Sequence, residues 1–211
     1  MSVQITPPQM YKAMIAVCET IEEHKDYLSE LDGAIGDGDH GVNMAKCFRL
    51  VRAKLDETPD EDFETIIKNV AMVVLNSVGG AMGALYGTFF MRLAQASAGK
   101  KELGVNELME MFQAAEQGIL EIGQAKVGDK TLVDTLYPAV RSLEKDAKDG
   151  EALESALANL DQAAKGGMEG TKDMVAKMGR ASRLGERTRG HQDAGATSCY
   201  LMINAMVSAF T

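Results

Sequence analysis

In nearly every long segment between Pro7 and Phe210 the apolar residues return every three or four positions, and no stretch reads convincingly as a strand with its period of two. That regularity limits the chain to packed helices. Thr6 followed by Pro7 and Pro8 is a helix start, and Met10, Met14, Val17, Ile21 and Leu28 share one face behind it. Four glycines interrupt the pattern between Asp32 and Gly41. Further helices are predicted from Val42 to Leu55, Phe63 to Ser77, Ala81 to Ala98, Val105 to Ile122, Thr131 to Ala147, Leu153 to Val175 and Ala196 to Phe210. Thr58-Pro59-Asp60, Gly79-Gly80, Gly128-Asp129 and Asp149-Gly150 punctuate them. The expectation is an all-α fold of eight helices in one domain, residues 1–211.

Composition agrees with that period. Aromatic residues are only 5% and Trp is absent, while there are 14 Met and 21 Gly. Side chains of this size suit closely packed helices better than a pleated sheet. The Met-rich faces read as adaptable core filler. A net charge of -9 argues against nucleic acid as a partner, because a phosphate backbone needs a basic face. A nucleotide remains compatible with an acidic protein when metal ions supply the positive charge. No apolar run reaches the ~18 residues of a membrane span, and the first ten residues carry no secretion pattern. Cys18, Cys47 and Cys199 are too widely spaced for a CxxC metal site and read as reduced thiols of a cytoplasmic protein.

The most unusual segment is Leu31-Asp-Gly-Ala-Ile-Gly-Asp-Gly-Asp-His-Gly41. Asp32, Asp37 and Asp39 lie within eight residues of one another, separated largely by glycine, which adds no packing and costs backbone entropy. Carboxylates held this close repel unless a cation sits between them, and oxygen ligands select magnesium, calcium or manganese. Gly36 to Gly41 spells GxGxxG, yet a dinucleotide fingerprint needs a preceding strand, and here the preceding segment is helical. An EF-hand starting at Asp37 fails at its fifth and twelfth positions, which are Gly41 and Phe48. A solvated Asp–Gly turn is the remaining structural reading.

Other segments favour a phosphate site. Gly41 and Asn43 open the second helix, where free amides can hold an anion. Ser77-Val-Gly-Gly-Ala-Met-Gly83 is a second glycine-rich helix start. Arg180, Arg183, Arg187 and Arg189 crowd the aperiodic stretch from Gly179 to Gly195, too long a loop to be idle. Carboxylates for metal, helix N-termini and arginines are the parts of a phosphoryl-transfer site.

Four blocks in order carry a family resemblance. They are Leu31 to Gly41, Ser77 to Phe90, Gly128-Asp-Lys-Thr131 with Asp134, and Gly179-Arg-Ala-Ser182 through Leu184-Gly-Glu-Arg187 to Gly190–Ser198. Together they resemble the ADP-binding L subunits of phosphotransferase-dependent bacterial dihydroxyacetone kinases, over nearly the whole chain. The resemblance implies a barrel of eight antiparallel helices with the nucleotide at one end. It implies two magnesium ions on Asp32, Asp37 and Asp39, bridging the phosphates of ADP or ATP. His40, Gly41, Val42, Asn43, Ala81, Met82, Gly123, Leu132, Arg180, Asp193, Ala194 and Gly195 match the family's nucleotide contacts, with Arg180 as a phosphate stabiliser.

The implied partners are a K subunit that holds dihydroxyacetone and an M subunit whose phosphohistidine recharges ADP. No general base is then needed in this chain. The alternatives are another short ketose as acceptor, or a non-catalytic nucleotide sensor that regulates a transcription factor. Met82 stands where relatives carry Ser, and Ala194 where they carry Pro. His40 favours the phosphotransferase-dependent type over ATP-dependent kinases, which tend to have Cys there.

Three other residues draw attention. His24, beside Glu22, Glu23 and Asp26, reads as a surface histidine. Lys130 suits either a phosphate contact or a helix start. His191 reads as a stacking or hydrogen-bonding group of the last loop.

Overall fold

The structure is a computed structural model that describes residues 4–59 and 61–211. Among these, nine α-helices follow in order: α1 Pro7–Glu23, α2 Lys25–Ile35, α3 His40–Asp56, α4 Phe63–Ser77, α5 Gly80–Ser97, α6 Val105–Gly123, α7 Val133–Asp149, α8 Leu153–Gly170 and α9 Ala194–Phe210. Short 3-10 segments cover Thr171–Asp173 and Ala181–Thr188. No described helix is long and apolar enough to cross a membrane.

Eight of the helices close into a ring. α1 packs on α3, each of α3 to α8 packs on the next, α8 packs on α9, and α9 returns to α1. Connections as short as Val78-Gly79 between α4 and α5 leave consecutive helices no choice but to run antiparallel. α2 is the extra element. It lies against α3 and α9 at one end of the barrel.

The helices begin and end where their residues dictate. Gln9 accepts from the Thr6 amide at 2.9 Å, which anchors the start of α1. The Asp62 carboxylate caps α4 by accepting from the Thr65 amide at 2.8 Å. The turn expected at Thr58-Pro59-Asp60 includes Asp60, which lies outside the described residues. α7 stops at Gly150 in the left-handed region, φ 71°.

The barrel interior is apolar and tightly packed. Phe48, Phe89, Phe90 and Phe112 meet edge to face, with centroids 5.2 to 6.3 Å apart. Met10, Met14, Met44, Met111, Met202 and Met206 are buried among them, as filler. Pro138 interrupts α7 by removing the amide that would bond to the Asp134 carbonyl. Gly167 of α8 packs against that same carbonyl, where a Cβ would collide with it.

Three boundaries differ from the sequence expectation. The first helix divides at His24, whose φ and ψ of -90° and 11° leave the helical region. Its Nδ1 lies 2.8 Å from the Thr20 carbonyl and the residue is half-buried, so this histidine is a helix-end group at the surface. α2 then continues to Ile35, which puts Asp32 on the last turn of a helix where an unbroken loop was expected. α8 ends at Gly170, short of Val175, and part of the expected arginine loop is coiled into the second 3-10 segment.

Candidate functional site

The three aspartates are brought together by a sharp joint between two helices. Asp32 sits on the last turn of α2, Asp37 in the four-residue connection, and Asp39 at the cap of α3. One carboxylate oxygen from each lies within 4.8 Å of the others. The Asp32 carboxylate also accepts from the His40 amide at 3.2 Å, which ties the end of α2 to the start of α3. Glycine is required here by space. A Cβ on Gly36 would collide with the Asp32 carboxyl, and one on Gly41 with the Lys25 carbonyl of α2. The Arg180 guanidinium forms an ion pair with Asp37 and lies 3.8 Å from Asp39, so a side-chain cation sits on the cluster. Hard, anionic oxygen donors at this spacing fit a divalent cation such as magnesium.

The cluster forms one wall of a cavity of about 540 Å3 at the end of the barrel. The N-termini of α3, α5, α7 and α9 open onto it through His40, Gly80, Val133 and Ala194. The first-turn amides of a helix lack partners within it, so four such ends facing one space favour an anionic ligand. The opposite side of the cavity is apolar, with Leu85, Ile119, Ile122, Leu132 and Met178. The cavity thus combines an apolar lining with helix N-termini and a cluster of carboxylates.

A buried hydrogen-bond chain joins three of those helix starts. His40 Nε2 lies 2.9 Å from Ser198 Oγ, and Ser198 Oγ lies 2.6 Å from the Tyr86 hydroxyl. Tyr86 is also 3.0 Å from the Gly195 carbonyl oxygen, to which it can donate. Burial pushes the Tyr86 hydroxyl well above its ordinary pKa. Burial likewise lowers the His40 imidazole to about 4 against the opposing pull of Asp32, so the ring is neutral at pH 7. Burial raises the Asp193 carboxyl to about 6, although it accepts from the Ala196 amide at 2.7 Å to cap α9.

Of the residues expected at a nucleotide site, His40, Asn43, Ala81, Met82, Gly123, Leu132, Arg180, Asp193, Ala194 and Gly195 all line the cavity. Gly41 and Val42 do not. Gly41 is buried against α2, and the Val42 side chain is 49% exposed. Of the four arginines only Arg180 faces the cavity. Arg189 instead donates to the Asp173 carbonyl and pairs with Glu186 at 3.1 Å, while Arg183 and Arg187 are exposed. The His191 side chain is also exposed, and its carbonyl is the engaged group.

Lys130 lines the same cavity. Its ammonium donates to backbone carbonyls of the 171–191 segment. Asp134 shapes the same corner by accepting from the Gly128 amide at 2.5 Å and the Thr131 amide at 2.8 Å. Tyr86 and Ser198 escaped the sequence reading because each sits among small or apolar neighbours in a helical stretch, where a lone hydroxyl carries no spacing signal.

The DAK2 domain family matches residues 34–208. The chain is 43% identical over 184 residues to the PEP-dependent dihydroxyacetone kinase, ADP-binding subunit DhaL, of Escherichia coli, covering 87% of this chain and 88% of that one. It is 39% identical to the PTS-dependent counterpart of Lactococcus lactis, with 87% and 88% covered. Among solved structures, the dihydroxyacetone kinase of C. freundii in its native form superposes with a TM-score of 0.74 at 24% identity, over 98% of this chain. This chain corresponds to 36% of that longer one, so the likeness bears on the fold. With the family model covering most of its length, the chain belongs to the DAK2 domain family, among the DhaL subunits of dihydroxyacetone kinases.

Proposed function

We propose that this protein is the nucleotide-binding subunit of a dihydroxyacetone kinase, which keeps ADP bound and passes the γ-phosphoryl of ATP to dihydroxyacetone held on a partner K subunit. A phosphohistidine on an M subunit would return ADP to ATP between turnovers. The observation that carries this reading is the convergence of three carboxylates and four helix N-termini on one apolar-sided cavity. The similarity to ADP-binding DhaL subunits supports it. A cytoplasmic setting fits the three buried free thiols.

Asp32, Asp37 and Asp39 would hold two magnesium ions, which supply positive charge to the phosphates when bound. The chain's own groups do the rest. Backbone amides at the starts of α3, α5 and α9 receive phosphate oxygens. At the α5 start that contact comes from main chain, because Met82 has no hydroxyl to donate. Leu85, Ile122, Leu132 and Met178 enclose the base and exclude water from one side. Arg180 already stands at the carboxylates and can turn to the phosphates as they arrive. No residue of this chain is assigned as general base, and the acceptor's proton goes to the partner.

Titrating ADP by calorimetry with magnesium and then with EDTA tests the reading. Binding is expected to weaken sharply once the metal is removed. Affinity that is unchanged in EDTA overturns the role given to the aspartates. Reconstitution with K and M subunits is expected to form triose phosphate from phosphoenolpyruvate.

A further inference from the structure

Lys130 is 1% exposed, yet among the described residues its ammonium forms no ion pair. Instead it lies 2.7 Å from the Thr171 carbonyl oxygen, 2.9 Å from Thr188, 2.5 Å from His191 and 3.3 Å from Met174. Three N–H bonds thus serve four acceptors. Desolvation lowers the pKa of the group. The backbone pays as well, because φ at Lys130 is 62°, a conformation that a residue with a Cβ resists. The Asp193 carboxylate attracts the charge but makes no ion pair with it among the described residues.

The position of the four carbonyls supplies a reason. Thr171 and Met174 precede Arg180 in the chain, and Thr188 and His191 follow it. The ammonium therefore draws shut the neck of the loop that carries Arg180. Weaker ties close the same neck: the Gly190 amide donates to the Lys172 carbonyl at 2.7 Å, and the Ala176 amide to Thr188 Oγ1 at 2.9 Å. Without the ammonium the four carbonyls lose the donor they share; those of Thr171 and Thr188 still accept from the Met174 and His191 amides at 3.2 and 3.4 Å, but the neck is freed to open toward water.

We propose that Lys130 is a positioning residue, a tethered cation whose four carbonyl contacts hold the loop so that Arg180 stands over Asp37 and Asp39. Its consequence for nucleotide affinity rests on the proposed function; its consequence for the loop does not. Four carbonyl oxygens around one point at these separations also suit a free ammonium or potassium ion. Removing the side chain while keeping the backbone leaves a vacancy of that kind.

Lys130→Gly is the variant to make, since glycine accepts the positive φ without strain. Its loop is followed by hydrogen exchange of peptides covering 172–191 without nucleotide, and Mg-ADP affinity is measured beside it. Both are taken in sodium, potassium or ammonium chloride at equal ionic strength. In sodium, loop protection is expected to fall and ADP to bind at least about tenfold more weakly, the worth of one charge-assisted hydrogen bond. Ammonium, and to a lesser degree potassium, is expected to restore both.

A loop as protected in the variant as in the wild type overturns the proposal. So does a loss that sodium and ammonium repair equally, or that neither repairs. Affinity restored by ammonium with no change in loop protection overturns it too, since the cation would then be acting on the phosphates. If the variant does not fold in sodium, recovery of the helical signal in ammonium supports the proposal, and its absence counts against it. Wild-type protein that fails to bind ADP defeats the proposed function while leaving the cation dependence of the loop to be judged separately.

Discussion

The hydroxyls of Tyr86 on α5 and Ser198 on α9 lie 2.6 Å apart inside the barrel, and through them His40 on α3 is joined to the Gly195 carbonyl. Two helix starts that open onto the cavity are thereby held to each other by buried hydrogen bonds. Tyr86→Phe keeps the ring and removes the donor. It is expected to lower the free energy of unfolding by about 0.5–1.5 kcal/mol, the net worth of a buried hydrogen bond, since Ser198 Oγ still donates to the Gly195 carbonyl. Urea denaturation monitored by circular dichroism measures this, and a variant as stable as the wild type would show that the chain of hydroxyls contributes nothing.

Gly41→Ala reverses the usual effect of placing alanine in a helix. The new Cβ would collide with the Lys25 carbonyl, so α2 and α3 must separate. Overpacking of this kind costs about 1–3 kcal/mol. The same displacement moves Asp32 relative to Asp37 and Asp39. Thermal melts should therefore fall, and the midpoint of a magnesium titration should rise. A stabilised variant with unaltered magnesium response contradicts the close approach.

Arg180→Met removes the cation that stands on the carboxylates. Both partners are substantially exposed, with side chains 63% and 43% accessible, so the ion pair itself is worth at most about 1 kcal/mol. The nucleotide-free variant in EDTA should melt slightly below the wild type. Added magnesium should then stabilise the variant more than the wild type, because it no longer competes with a guanidinium. An identical magnesium response in the two proteins would place Arg180 away from the cluster.

Asp193 gives a pH dependence with a definite sign. Its carboxyl is raised from 3.8 to about 6 in the fold, chiefly by burial. The folded state therefore holds a proton that the unfolded state has released. The contribution to stability is fully present below pH 3.8 and is lost as pH rises through about 6. Asp193→Asn still offers an oxygen to the Ala196 amide but cannot ionise. The stability of the variant relative to the wild type should increase between pH 4 and pH 7, by at most about 3 kcal/mol. A difference that stays flat across that range sinks the assignment.

Burial also pushes the Cys18 and Cys199 thiols up to about 12 and Cys47 to about 11. Few thiolates are present at pH 8, and all three sulfurs lie in the core. A disulfide reagent should label the native protein slowly and all three positions at once after denaturation. Rapid labelling of any one of them in the native state would show an opening of the barrel near it.

The helical period alone was enough to locate α4 at Phe63–Ser77 and α5 and α6 to within a residue or two, because each buries one continuous apolar stripe. It did not show the division at His24 or the extension of α2 to Ile35. The second occurs where glycine weakens the pattern, and α2 as a whole is placed by packing against α3 and α9. The resemblance named the cavity-lining residues well where they stand at helix starts, as with Ala81 and Ala194. Gly41 and Val42 do not line the cavity, because adjacent residues on a helix cannot all face one side.

The sequence by itself determined the helices, the acidic charge, and the three aspartates spaced by glycine, since each depends on residues close together in the chain. It raised the expectation of a hard cation at Asp32, Asp37 and Asp39. Only the tertiary structure decided what surrounds them. It brought four helix starts and an apolar wall to the same end of the barrel, set Arg180 on the carboxylates, and placed the Lys130 ammonium among four carbonyls. Those outcomes depend on contacts between residues forty to one hundred and sixty positions apart, such as Lys130 with Thr171 and His40 with Ser198, and no local pattern encodes them.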